Sequence, residues 1–240
     1  MKVSSFLLIS CCAAAVCISA ACASSAHIVI QDKSNYSLTA EFMPSDLLEK
    51  NIRHLLKQKN EQTDEQSMFN RRELKDSLSK AGLTVNDIAL KGNMGLSIAC
   101  TLPHTHELLK AMINYDRTKQ KVFLRISPEN IHAFLEMIPQ DSRDFIDMLM
   151  APLFTGEKIK PAEYEDLIGV AYGKKIAAEL RKAEFILTVD VPYTIQTAQV
   201  SPVGTITLQK KTTNRASLHL PLLELLCTTG TIEVQLLNNS

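Results

Sequence analysis

The chain of 240 residues carries 26 basic and 26 acidic side chains, a formal net charge of zero. That balance excludes the strongly basic face by which proteins meet nucleic acid, and it leaves no polybasic patch for anionic lipid. Six cysteines, eight scattered glycines and no tryptophan complete the picture.

Met1 and Lys2 are followed by VSSFLLISCCAAAVCISAACASSA, a stretch without charge. A positive start, an apolar run from Phe6 to Ile18 and a small-residue finish make the pattern of a secretion signal. The leader is long enough for a membrane span, which needs about 20 residues. Its second half, however, is mostly Ala, Ser and Cys, which gain little from lipid.

The end of this stretch, Ile18 to Cys22, resembles the lipobox of bacterial lipoproteins. Ser19, Ala20 and Ala21 match the small residues that the peptidase of that family requires, and Cys22 matches the acylated thiol. The branched residue stands at Ile18, one place earlier than the strict pattern has it, which is similar to the permissive spacing of spirochaete-type lipoproteins. The resemblance implies cleavage before Cys22 and a diacylglyceryl thioether on its sulfur, with an amide-linked third chain. A buried methylene contributes about 0.8 kcal/mol, so two or more chains hold permanently. Cys11, with Leu8 ahead of it, and also Cys12 and Cys17 are rival acylation sites. Ala21-Cys22-Ala23 is also an A-x-A cleavage site, whose use would release a soluble periplasmic protein. The expected organisation is a signal peptide over 1–21, an acylated N-terminus and short tether over 22–27, and one domain over 28–240.

In the body of the chain, IVIQDKSNYSLTAEFMP predicts strand, turn and strand, with Tyr36, Leu38, Ala40 and Phe42 on one face. Pro44-Ser45-Asp46 then starts a helix with Asp46 and Glu49 as caps and Leu48, Ile52, Leu55 and Leu56 as its stripe. The polar stretch from Lys57 to Ser67 is a fraying helix end or a loop. NRRELKDSLSKAG predicts a helix ended by Gly82. TVNDIAL and GLSIACTL are extended, and Pro103 opens a short helix over HTHELLKAMI. KVFLRI is a strand. Ser127-Pro128-Glu129 is a strong helix start, with Ile131, Phe134, Leu135 and Ile138 as the stripe and Pro139 as the stop. SRDFIDMLMAPLF follows as an apolar helix. Pro161 to Lys182 predicts one long helix whose acidic start and basic end suit its dipole. The remainder reads as a β meander, EFILTVDVP, GTITLQKK, ASLHLP and TIEVQLL, with LLELLC as a helical or turning insert. The expected class is α+β: a largely antiparallel sheet with helices packed on one face and a helical portion at about 128–182.

No constellation implies catalysis. PHTHE places His104, His106 and Glu107 where a metal would need a further ligand that nothing supplies, so no metal and no cofactor are expected. The acidic pairs Asp141, Asp144 and Asp147, or Glu163 and Asp166, suit solvation and the helix dipole. No G-x-S-x-G or phosphate-loop spacing occurs. Cys100 and Cys227, the cysteines left beyond the leader, are either a disulfide or two buried thiols. Cys100 falls on the apolar side of its strand with Leu96, Ile98 and Leu102. Phe145, Met148 and Phe154, beside Met150, could line a groove for an acyl chain or partner helix, the alternative being a buried core helix. YGKKIAAELRKAEFILTVDVP leading to ASLHLPLLELL resembles the LppM-like lipoproteins in its order of helix, strand and meander. That likeness implies an α/β domain suspected of binding membrane lipids. The expectation is a membrane-anchored, non-catalytic envelope module with a lipid or protein partner; the alternative is an envelope hydrolase.

Overall fold

The computed structural model describes residues 23–31, 35–50, 69–92, 94–137, 157–202 and 206–238. Its first strand, β1 (Ala23–Ile30), runs antiparallel to β2 (Asn35–Met43), as expected for the strand–turn–strand segment. The tether expected over Ala23 to His27 is instead the first half of β1. Ala23 pairs with Met43 on one side and Glu184 on the other, and every residue to Val29 is likewise flanked. Ser and Ala have no strong preference for a strand, so the pairing on both sides decides the conformation.

Ser45, rather than Asp46, caps the next helix: its Oγ accepts the Leu48 amide at 3.3 Å, and residues 46–50 are helical. Helix α1 (Arg71–Lys80) begins as the sequence predicts. Asn70 Oδ1 accepts the amides of Arg72 and Glu73 at 3.0 and 3.3 Å, and its Nδ2 donates to Glu73 Oε1. Leu74 and Leu78 are its buried pair, and Gly82, at φ +88°, turns the chain out of the helix. The hairpin of β3 (Thr84–Lys91) and β4 (Gly95–Pro103) extends the sheet beyond β2.

Helix α2 (Glu107–Met112) is shorter than expected, because Ile113 opens strand β5 (Ile113–Asp116), which pairs with β6 (Lys121–Ile126). Helix α3 (Pro128–Leu135) starts at Ser127, whose Oγ accepts the Asn130 amide. The long helix expected over 161–182 is two helices, α4 (Pro161–Tyr172) and α5 (Lys174–Lys182). They break at Gly173, whose φ of +99° is closed to most L side chains. Gly169 lies where the two helices pack: a Cβ built there would stand 3.7 Å from the Ala177 Cβ of α5. Arg181 meets Glu165 across the pair at 3.2 Å.

The C-terminal strands do not form one meander. β7 (Glu184–Asp190), β9 (Thr207–Thr212) and β10 (Arg215–Pro221) belong to a seven-stranded sheet of order β3-β4-β2-β1-β7-β10-β9. β8 (Thr197–Ser201), unseen in the sequence, and β11 (Ile232–Leu237) belong to a four-stranded sheet of order β5-β6-β11-β8. All described pairings are antiparallel except β1 with β7. The chain crosses between sheets at 191–196. There Tyr193 stacks on Tyr115 and donates its hydroxyl to the Leu236 carbonyl at 2.8 Å. The architecture is thus α+β with antiparallel sheets and several helices.

One apolar cluster joins the two sheets. Ile28, Leu102, Val189 and Leu218 of the larger meet Val122, Leu124, Val234 and Leu236 of the smaller, with Leu74 and Leu78 of α1. A second cluster gathers Tyr164, Ile168, Ile176 and Leu180 of α4 and α5 with Leu223 and Leu226 of α6 (Leu222–Leu226), Leu48 and Met94. Leu48 follows β2, Met94 precedes β4, Ala183 precedes β7 and Leu222 follows β10. The second cluster therefore caps the end of the larger sheet where β1 begins. Leu236 is fully buried in the joint core. Leu236→Ala should lower unfolding free energy by about 3 kcal/mol, within the range for leucine truncation in a packed core, as read by urea denaturation.

Candidate functional site

Period-two alternation separates the faces of the larger sheet. Ala26, Ile28 and Ile30 of β1, Leu187 and Val189 of β7, and Ala216, Leu218 and Leu220 of β10 pack into the core. Ser25, His27 and Val29, then Thr188 and Asp190, then Arg215, Ser217 and His219 take the opposite face. Ser37, Thr39, Glu41, Ser97, Ala99 and Thr101 continue it on β2 and β4. The face is rich in small residues, and most of it is half-buried.

Its densest polar group is His27, Asp190 and Arg215. The Arg215 guanidinium donates through Nε to Asp190 Oδ1 at 2.6 Å and through Nη2 to Oδ2 at 2.7 Å, a bidentate fork. His27 Nε2 lies 3.0 Å from Asp190 Oδ2. The Arg215 hydrogen bonds hold the Asp190 carboxyl below the usual carboxylate range against the opposing effect of burial, and His27 adds to this. Farther along the same β7–β10 ladder, the hydroxyls of Thr188 and Ser217 are 3.0 Å apart, and His219 Nδ1 lies 3.2 Å from Glu184 Oε2. Ser217 is buried and its hydroxyl is shared with Thr188. The arrangement is an ion-pair clasp across β1, β7 and β10, and no base within hydrogen-bond distance is aimed at a nucleophile.

The residues singled out from the sequence fall elsewhere. Cys22, the rival cysteines Cys11, Cys12 and Cys17, and the groove residues Phe145, Met148 and Phe154 lie outside the described residues, as do Asp141, Asp144 and Asp147. His106 Nε2 sits 2.7 Å from the Ala81 carbonyl and bridges α2 to the end of α1. His106 occupies the N-cap of α2. Glu107 pairs with Lys110 at 3.0 Å. Among the described residues, no three His, Cys, Asp or Glu side chains converge on a point that could hold a metal ion. Of the two readings of Cys100 and Cys227, the structure has free thiols, Cys100 buried in the joint core and Cys227 half-buried against the helical cap. Burial pushes both thiols up to about 11, with Glu224 adding to the effect at Cys227.

A shallow pocket of about 130 Å³ lies between α6 and the end of the smaller sheet, lined among others by Pro161, Ile206, Leu225, Cys227 and Ile232. Ligand sites for drug-sized molecules run to roughly 300–1,000 Å³, so this one is too small for an acyl chain. Among the described residues no helix is long and apolar enough to cross a membrane.

The clasp escaped the sequence reading because its members stand far apart in the chain and follow no spacing rule. Asp190 and Arg215 on neighbouring β stretches were the available signal. Compared with family models and with curated proteins, the chain matches none.

Two measurements test this chemistry. Asp190→Asn should cost roughly 1 kcal/mol, the upper end for ion pairs with one exposed partner. Because the native carboxyl titrates low, its contribution is complete above the unfolded-state value and disappears as pH falls through the native one. Urea unfolding across a pH series should therefore show a steeper acid loss for the parent than for the variant. Both thiols should resist iodoacetamide at pH 8 in the native protein and react after denaturation; a mass shift on reduction alone would contradict the free-thiol assignment.

Proposed function

We propose that this protein is a membrane-anchored lipoprotein of the bacterial envelope, held through an acylated Cys22 and working as a non-catalytic interaction module. The observation that carries this reading is the start of β1 at Ala23, the residue after Cys22. Cleavage before Cys22 removes the apolar leader and leaves every described strand intact. Cleavage within the small-residue stretch after Ala23 would instead shorten a strand hydrogen-bonded on both sides. Cleavage before Cys22, which the lipobox resemblance implies, is thus compatible with the paired strand that follows.

Among the described residues, the pocket beside α6 is small, and the polar face of the larger sheet is the more extensive surface. That face, with its Ser, Thr and Ala rows and the Asp190 clasp, is a platform suited to a protein or lipid-headgroup partner. In a bacterial host that processes lipoproteins, Cys22→Ala should abolish incorporation of labelled palmitate and shift the protein from the membrane to the aqueous fraction. Label retained at the parental level would overturn the assignment, and mass spectrometry of the native N-terminus would identify the residue modified.

A further inference from the structure

Among the described residues, the large apolar side chains that stand exposed are Met43, Leu90, Leu167 and Val170. All four belong to one end of the molecule. Met43 is the register partner of Ala23, and Leu90 pairs with Leu96, which pairs in turn with Phe42, the partner of Ser24. Leu167 and Val170 lie on α4, within the helical cap at that same end of the sheet. They are 54% and 89% exposed and three residues apart, on the helix side away from buried Tyr164 and Ile168. Gly173 turns the chain immediately afterwards, and exposed Lys174 and Lys175 follow.

The 22 residues that precede the described fold join it at this end, through the backbone of Ala23. Because Ala23 is already paired with Met43 and Glu184, no free tether intervenes. The Cα of Cys22 is about 3.8 Å from that of Ala23. A membrane anchor at that point forces this rim against the headgroups, whatever the rest of the molecule does.

We infer that the rim formed by Met43, Leu90 and the exposed face of α4 is a second, non-covalent contact with the bilayer. Leu167 and Val170 enter the interface, while Lys174 and Lys175 lie at the level of the lipid phosphates. The exposed face of α4 is mixed, with Glu163 and Asp166 one turn before Leu167 and Val170, so the contact is confined to its C-terminal turn, where the Lys174 and Lys175 stems pack on lipid while their ammonium groups stay in water. The inference rests on the anchored reading above, and it adds an orientation: the polar sheet face stands edge-on to the membrane, open to partners from the side.

The absence of tryptophan from the chain makes a single introduced one a clean reporter. Val170→Trp, Leu167→Trp and, at the far end of the sheet, Thr213→Trp would each be made in the full-length acylated protein. All three positions are exposed, so the core is untouched. The proteins would be reconstituted into phosphatidylethanolamine–phosphatidylglycerol vesicles with and without brominated acyl chains. The expected result is a blue shift and roughly twofold quenching at 170 and 167, as for a side chain at the headgroup–acyl boundary, with neither at 213. Absence of quenching at 170 and 167 while the protein remains with the vesicles would overturn this contact and leave the anchor standing. Equal quenching at all three positions would overturn the orientation. Recovery of the protein free of vesicles would overturn the anchored reading itself.

Discussion

The parallel pairing of β1 with β7 holds the larger sheet together. Strands β2, β3 and β4 attach on one side of β1, and β10 and β9 attach on the far side of β7, so the two halves meet along this one ladder. The ladder joins residues 23–29 to residues 184–190. It therefore closes a loop of most of the chain, and the cost of that closure is met only when both halves are present. The His27–Asp190 contact lies across the same ladder, and Arg215 extends it to β10, so the polar clasp reinforces the seam from the face opposite the core.

In the anchored protein proposed above, a central strand beginning next to Cys22 has a mechanical consequence. An anchor attached to a loop or a frayed tail lets a domain tumble on its tether; an anchor attached to the first residue of a strand bonded on both sides does not. The helices α4, α5 and α6 gather at that end and form their own apolar cluster, closing the strand ends that would otherwise meet water. The break at Gly173 permits the fold-back of α5 on α4, with Gly169 against Ala177 and Arg181 against Glu165. Support for the strand ends and presentation of exposed Leu167 and Val170 thus come from the same pair of helices.

The smaller sheet serves a different end. It packs across the core side of the larger one and is tied to it through the 191–196 crossing, where Tyr193 reaches the β11 backbone. Among the described residues no second sheet packs on the other face of the larger sheet, where small polar side chains predominate. A face of this kind fits a macromolecular or headgroup partner better than the pocket beside α6 fits a chain-like ligand.

Local chemistry determined much of this protein. The caps Asn70 and Ser127, the strand alternation around Tyr36 and Leu218, and the stop at Gly82 are written in neighbouring residues, so their elements and the α+β class were legible from the chain. Tertiary structure alone decided what depends on residues distant in sequence. Ala23 to His27 became strand because two neighbours supplied hydrogen bonds; Ile113, expected at the end of a helix, opens β5 because β6 stands beside it; β8 formed on β11. The clasp of His27, Asp190 and Arg215 belongs to this second class, since strand pairing, and no motif, brought the three groups within hydrogen-bond reach.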